Sequence, residues 1–288
     1  FVIMSKGLPY GGGQNWGSDF IPVSHQGTRL VPGDTPIRNI RPQAHTKRFQ
    51  KTELDLVDFF NRQHLQGRGG DSNLTSRIRS FETAAGMQLE APEALDLSGE
   101  TADTLKSYGL EPGQTDSFAW QCLVARRMAE RGVRFIELVD GDTALDFNWD
   151  AHANIDKYSQ LAKNVDQPIA ALIKDLKQRG MLDETLVVFT TEFGRGPCVP
   201  SPGTNGRGHW ANAYSSWIAG GGIKGGTVYG KTDDFGLEVT ENECSPHDFH
   251  ATLLHCLGID HTRLTYRHAG RDYRLTDVHG EVIQDILA

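Results

Sequence analysis

The spacing of apolar residues predicts five helices along the chain. They cover residues 54–60, 73–87, 117–131, 155–178 and 246–257. The helix at 155–178 is the clearest, because Leu161, Val165 and Ile169 recur every four positions and form one apolar face. Gly132 and Gly180 follow two of these helices, and glycine in that place is typical of a helix C-terminus.

Two apolar stretches predict the strands of a buried sheet. Residues 134–140 end on Asp140, and residues 185–191 are continuously apolar and β-branched, which is typical of a strand covered on both faces. A third strand is predicted at 215–219. Because strands and helices alternate along the chain, we expect an α/β fold with a mostly parallel sheet and helices on both faces.

The start of the chain has a different character. After a strand-like Phe1-Val2-Ile3-Met4, it is rich in Gly, Pro, Asn and Gln and has no period, which predicts a long ordered loop region over 1–45. With 288 residues the chain suits one large domain or two modest ones, and we interpret 1–288 as a single domain. It begins at Phe1 without a signal-peptide pattern, so we expect that its N-terminal part is missing.

Composition narrows the class of protein. The 29 Lys and Arg residues face 37 Asp and Glu residues, a net charge of −8 that argues against a nucleic-acid partner. No apolar run approaches the roughly 20 residues that span a bilayer, so no membrane span is predicted. The four cysteines lack a CxxC spacing, which argues against a zinc knuckle or redox pair; a disulfide between Cys198 and Cys244 stays open.

Acidic and imidazole side chains follow the two best strands. Asp150 and His152 come after the strand at 134–140, and Glu192 directly follows the strand at 185–191. His209 lies further along, in a glycine-rich loop. Because ligands gather at the carboxyl ends of strands in open α/β sheets, we expect these four side chains to converge at one sheet edge. Oxygen and imidazole donors without thiolate suit zinc, manganese or a similar divalent ion in a hydrolytic site.

A basic residue, Arg195, follows Glu192 closely in the sequence. The guanidinium of Arg195 is a candidate for binding a phosphate or sulfate in bidentate fashion. Structural roles are the alternative for the same side chains. Asp150 would then cap the following helix and His152 would be a surface residue, while Glu192 would form an ordinary ion pair with Arg195.

Polar residues near the end of the chain favour structural roles. Asp248 is predicted to cap the helix at 246–257, and His250 and His255 are predicted to pack or bond locally. The arginine-rich segment 263–274, which contains Asp272, is predicted to be a salt-bridged surface or an interface.

Six motifs together resemble one known family. They are Trp149-Asp150-Ala151-His152, Thr190-Thr191-Glu192-Phe193-Gly194-Arg195, Gly-Arg-Gly-His-Trp at 206–210, the glycine-rich run at 220–226, residues 248–255 and Leu264-Thr265-Tyr266-Arg267. The combination is similar to the bacterial family called "domain of unknown function 1501", abundant in Planctomycetes, a sulfatase-like branch of the alkaline phosphatase superfamily. The resemblance extends over essentially the whole chain.

The resemblance implies a three-layer α/β/α, alkaline-phosphatase-like fold around a site that hydrolyses phosphate or sulfate esters of small molecules or glycans. In that superfamily an Asp, a nearby His and a later His hold one metal, and the matching positions are Asp150, His152 and His209. An acidic residue followed by His holds the second metal, whereas here Glu192 is followed by Phe193. Zinc is the expected ion, with manganese or calcium as alternatives.

The resemblance also implies that the nucleophile and an export signal belong to a segment before Phe1, so a periplasmic or extracellular location is expected. We therefore predict a metal-dependent hydrolase of phosphate or sulfate esters. The alternative is a non-catalytic relative that serves as a binding or surface-associated scaffold. A lyase or mutase on the same metal scaffold is a third alternative, and the sequence leaves the oligomeric state open.

Overall fold

The chain divides into two compact units of mixed α/β structure. The computed structural model describes residues 1–18, 21–22, 25–41, 46–69, 71–141, 148–199 and 201–288. The first unit is Phe1–Asp146 and the second is Phe147–Ala288. The mixed α/β class predicted from the sequence is confirmed, whereas the single domain and its three-layer arrangement stay predictions.

The first unit is built around a small parallel sheet. Its elements are β1 (Val2–Ser5), β2 (Thr28–Leu30), α1 (Lys47–Gly67), α2 (Ser72–Leu95), α3 (Ala102–Tyr108), α4 (Phe118–Glu130) and β3 (Ile136–Val139), with a 3-10 helix at Gly12–Trp16. The strand order is β2-β1-β3, and both pairs are parallel, with Met4 opposite Leu30 and Leu138. Ile3, Met4 and Leu30 are fully buried, so this sheet forms part of the core.

Most residues of helix α4 are buried. The Ser117 side chain caps it by accepting a hydrogen bond from the backbone N–H of Trp120, and Trp120 and Leu123 are buried. Gly132 follows with a φ of 82°, a left-handed conformation that favours glycine and lets the chain leave the helix. The helices predicted at 54–60, 73–87 and 117–131 are confirmed as parts of α1, α2 and α4.

A buried ion pair joins α4 to the segment before α3. Glu100 accepts hydrogen bonds from the guanidinium groups of Arg126, at 2.7 Å, and Arg127, and the side chains of Glu100 and Arg126 are 7% and 2% exposed. Burial raises the pKa of the Glu100 carboxyl, but the two arginines outweigh it and hold this pKa below its ordinary value. The stability from this pair is therefore present above the ordinary carboxyl pKa and lost as the pH falls through the lowered one.

The second unit pairs its strands differently. Its elements are α5 (Tyr158–Gln178), β4 (Val187–Phe189), β5 (Gly194–Arg195), β6 (His209–Trp210), β7 (Trp217–Ala219), β8 (Lys231–Thr232), β9 (Val239–Glu241), α6 (Pro246–Cys256), β10 (Thr265–His268) and β11 (Arg271–Arg274), with 3-10 helices at Leu182–Glu184 and Gln284–Ile286. Among the described residues of this unit, the named strands form antiparallel pairs: β4 with β7, β5 with β6, β8 with β9 and β10 with β11.

The mostly parallel sheet predicted from the sequence is therefore confirmed only for the three strands of the first unit. β3 belongs to that sheet, whereas β4 pairs antiparallel with β7. The prediction that the strand at 185–191 is covered on both faces is wrong, because Val188 and Phe189 of β4 are 37% and 44% exposed. Phe189 stacks on Trp217 of its partner strand with 5.5 Å between ring centroids, so cross-strand packing accounts for this apolar run.

One further sequence prediction needs correction, and the structure answers one question that the sequence left open. A strand, β2, and a 3-10 helix lie inside the region 1–45 that was predicted to be loop, and the strand is held by pairing with β1. Residues 19–20, 23–24 and 42–45 of this region lie outside the described part of the chain. All four cysteines are free thiols, so the disulfide left open between Cys198 and Cys244 does not form.

The structural roles predicted for Asp248, for His250 and for the arginine-rich segment are confirmed, and His250 Nδ1 lies 2.7 Å from the carbonyl oxygen of Pro246. The local role predicted for His255 stays a prediction. Asp248 closes a capping box at the start of α6: its carboxylate accepts from the Ser245 N–H, and the Ser245 hydroxyl accepts from the Asp248 N–H. The arginine-rich segment forms the β10–β11 hairpin, with exposed ion pairs between Arg267 and Asp272 and between Arg271 and Asp277. Within the described residues no helix has both the length and the apolar composition needed to cross a bilayer.

Replacing Glu100 with Gln is expected to lower the free energy of unfolding by about 3 kcal/mol, because the guanidinium groups of Arg126 and Arg127 lose a buried carboxylate, although Arg126 keeps its ion pair with Glu130. Urea unfolding followed by circular dichroism measures this change. Glu93→Gln is the matched control, since Glu93 is a largely exposed partner of Arg131 and such pairs contribute about 0–1 kcal/mol. Equal losses in the two variants would contradict a special role for the buried pair.

Candidate metal centre

Three of the four predicted ligands lie together in the second unit. The Nε2 atoms of His152 and His209 are 3.0 Å apart, and the Oδ1 atom of Asp150 lies 3.0 Å from the first and 3.3 Å from the second. Two imidazole nitrogens at this distance cannot both carry a proton, so at least one presents a lone pair. Both histidine side chains are 47% exposed, so the group is open to solvent.

These separations fit a divalent ion. A tetrahedral zinc ion about 2.0–2.1 Å from each nitrogen or oxygen ligand keeps those ligands about 3.3 Å apart. The observed 3.0, 3.0 and 3.3 Å are close to this spacing. Two imidazoles and one carboxylate also match the three-ligand sets that leave a fourth position of a catalytic zinc open.

Contacts with the start of α5 hold the loop that carries Asp150. The Tyr158 hydroxyl donates to the carbonyl oxygen of Trp149 at 2.6 Å, and Lys157 Nζ donates to the carbonyl oxygen of Asp150 at 3.3 Å. The Asp150 N–H donates to Asn148 Oδ1 at 2.8 Å. The N-cap of α5 is Lys157, so the alternative in which Asp150 caps the following helix is wrong.

A close backbone approach brings His209 to this loop. The Arg207 N–H donates to the carbonyl oxygen of Ala151 at 3.0 Å, and the Asn205 N–H donates to that of Ala153 at 3.3 Å. Gly206 lies between these two bonds, and a Cβ there would be only 2.0 Å from the carbonyl oxygen of His152. Glycine at this position is therefore what allows the two segments to meet.

Arg195 forms hydrogen bonds with the loop that carries Asp150. Its Nη2 donates to Asp150 Oδ1 at 2.7 Å and to the carbonyl oxygen of Trp149 at 3.3 Å, and its Nη1 donates to that of Arg207 at 3.1 Å. Burial raises the pKa of the Asp150 carboxyl, but Arg195 and the two histidines outweigh it and lower this pKa to about 2. Asp150 is thus ionised, the form in which a carboxylate binds a metal.

Glu192, the fourth predicted ligand, lies outside this group of three. Its exposed carboxylate accepts a hydrogen bond from the Thr191 hydroxyl at 2.7 Å. Among the described residues the compact set of ligand atoms contains only Asp150, His152 and His209. The alternative ion pair between Glu192 and Arg195 is also wrong, because Arg195 pairs with Asp150.

The sequence missed two residues that shape the site. The ring of Phe193 lies against that of His209, with 4.1 Å between centroids, although the sequence pointed only to the imidazole that this position lacks. Tyr158 supports the backbone before Asp150, and its place at the start of a predicted helix was the only signal. Both depend on contacts between distant segments, which spacing along the chain does not encode.

Substituting Gly206 with Ala is expected to cost about 1–3 kcal/mol of stability, because the added methyl group meets backbone atoms that cannot rotate away. Thermal unfolding measures the loss. Gly225→Ala is the matched control, since a Cβ at Gly225 meets nothing within 4 Å. A Gly206→Ala variant as stable as Gly225→Ala would show that the two segments do not approach this closely.

Removing the guanidinium in Arg195→Gln is expected to raise the pKa of Asp150 from about 2 toward the ordinary value of about 3.9. The stability gained from ionised Asp150 is present above the ordinary pKa and lost as the pH falls through the lowered one, so the variant loses it at higher pH. Carboxyl carbon NMR shifts, measured in the presence of a chelator, give both values. Arg207→Gln is the control, because Arg207 donates to the carbonyl oxygens of Asn205 and Gly206.

Comparison with models of protein families identifies the family of this chain. A family model described as protein of unknown function (DUF1501) matches residues 1–287. No curated protein and no solved structure is detectably similar to the chain. Because the family model covers the whole chain but its last residue, the protein belongs to the DUF1501 family.

Proposed function

We propose that this protein is a metal-dependent hydrolase of phosphate or sulfate esters, with the three-layer fold of the alkaline phosphatase superfamily. Asp150, His152 and His209 hold one divalent ion, for which zinc is the first candidate. The observation that carries the proposal is the set of three ligand atoms separated by 3.0, 3.0 and 3.3 Å. Export from the cytoplasm and a phosphate or sulfate ester of a small molecule or glycan are parts of the same proposal.

Asp150, His152 and His209 would hold the ion, which when bound would supply Lewis-acid chemistry to polarise an ester and stabilise developing negative charge. The protein supports it with an ionised carboxylate and two imidazoles exposed to solvent, so an ester can approach from outside. Lys157 bonds to the segment that carries Asp150, Arg207 bonds to carbonyl oxygens of the segment before His209, and Arg195 bonds to both segments. Their positive charges favour an anionic substrate over a neutral one.

Arg195 was predicted to hold the anion of the substrate, and its contacts favour a different role. Its donors bind Asp150 and the carbonyl oxygens of Trp149 and Arg207, so the guanidinium is already engaged by the protein. We assign Arg195 to orienting Asp150 and keeping it ionised. Glu192 is left out of the ligand set, because its carboxylate is bonded to Thr191 and lies outside the compact group.

One observation favours a second candidate function. The three ligand side chains lie within hydrogen-bond distance of one another, so they can satisfy each other without an ion. A non-catalytic relative that keeps this cluster as part of a binding or surface-associated scaffold is consistent with that arrangement. The two candidates differ in whether the cluster binds an ion and whether that ion supports hydrolysis.

Zinc titration and hydrolysis of aryl phosphate and aryl sulfate test the proposal. The wild type is expected to bind about one zinc ion per chain and to hydrolyse at least one of the two esters. Asp150→Asn and His209→Ala are expected to lose both properties, because each removes one of three ligands. His255→Ala is the matched control, since His255 is an exposed imidazole of α6 outside the cluster.

The outcomes separate the two candidates. A wild type that binds no divalent ion contradicts the metal site. A wild type that binds zinc through His209, yet hydrolyses neither ester faster than its His209→Ala variant, favours the scaffold. Activity that survives in both ligand variants would contradict the hydrolytic role of this cluster.

A further inference from the structure

Three aromatic rings stand in series at the ligand cluster. The ring of Phe193 lies 4.1 Å from that of His209, centroid to centroid, with 38° between the planes. The ring of His209 lies 4.6 Å from that of His152, with 52° between the planes. His209 is therefore packed between a hydrocarbon ring and a second imidazole.

The pairing of β5 with β6 places Phe193 there. Arg195 is directly opposite His209 in this antiparallel pair, and opposite residues project to the same face. Phe193 precedes Arg195 by two positions, so in an extended segment it projects to that face as well. The backbone at Gly194 lies close to that of Ala213, because a Cβ at Gly194 would be only 2.6 Å from the carbonyl oxygen of Ala213.

A ligand histidine needs something to fix its ring. In most metal sites the ring nitrogen away from the ion donates to a carboxylate or carbonyl, which sets the orientation. Within the described part of the chain, the hydrogen bonds of the His209 ring all involve Nε2, the atom that faces Asp150 and His152. Among these residues, His209 Nδ1 makes no hydrogen bond that would fix the ring. We therefore infer that packing against neighbouring rings orients the imidazole.

We propose that Phe193 is a positioning residue for the metal site: its ring holds the imidazole of His209 so that Nε2 faces Asp150 and His152. This inference deepens the proposed function, because the ion is the one proposed above. Phe193 has no ligand atom to offer an ion, so in this proposal it acts through His209. Aromatic rings prefer offset or inclined arrangements to a face-to-face sandwich, and the planes of Phe193 and His209 are inclined by 38°.

Zinc affinity, measured by competition with a chromophoric chelator, tests the proposal. Phe193→Ala is expected to weaken zinc binding about 10-fold or more, the usual effect of losing a group that orients a ligand. Phe193→Tyr keeps the ring and is expected to keep the wild-type affinity. Phe235→Ala is the matched control, because Phe235 is 72% exposed. The visible spectrum of the cobalt-substituted protein is expected to change in Phe193→Ala and to stay the same in the other two.

A measurement without metal separates this inference from the proposed function. In the metal-free wild type, NMR is expected to show nuclear Overhauser contacts between the ring protons of His152 and His209, and Phe193→Ala is expected to lose them. Should Phe193→Ala fail to fold, Phe193→Leu removes the ring while keeping an apolar side chain and is expected to lose the contacts too. Wild-type affinity and unchanged ring contacts in a folded variant overturn the positioning role. A wild type that binds no zinc contradicts the proposed function, and the ring contacts still decide the role of Phe193.

Discussion

The close approach of two backbone segments at Gly206 is the constraint on which the candidate site depends. A side chain at this position would collide with the carbonyl oxygen of His152, so only glycine lets the Arg207 N–H reach Ala151 at 3.0 Å. That approach carries His209 to a histidine 57 positions earlier in the chain. Without this approach, the chain contains suitable metal ligands, but they do not come together in one site.

Charge sets a second constraint on the same cluster. Asp150 Oδ1 accepts from Arg195 at 2.7 Å and also faces both imidazole nitrogens. The guanidinium helps to lower the pKa of the carboxyl to about 2, so the carboxylate stays ionised further into acid solution, and this favours metal binding. It also competes for the same oxygen, and this opposes metal binding. The affinity of the site for an ion reflects both effects, so Arg195 is part of the site although it is not a ligand.

Local patterns predicted the helices well and the strand pairing poorly. The periodicity of apolar residues identified α4, α5 and α6, because helical faces and caps depend on neighbours three or four positions apart. The strands predicted at 134–140, 185–191 and 215–219 were located correctly, but their pairing was not, since β4 joins β7 antiparallel instead of extending a parallel sheet with β3. The four predicted ligands were expected at one sheet edge, yet three of them meet through a loop and the short β5–β6 pair.

The sequence by itself determined the donor types, the helix positions and the membership in a family whose model matches residues 1–287. The tertiary structure alone decided which donors meet: it left Glu192 outside the group, turned Arg195 toward Asp150 and placed Phe193 on His209. Helical faces are fixed by short-range spacing, which is legible in a sequence. The convergence of distant side chains depends on which backbone segments pair and how closely they approach, and spacing along the chain carries no measure of either.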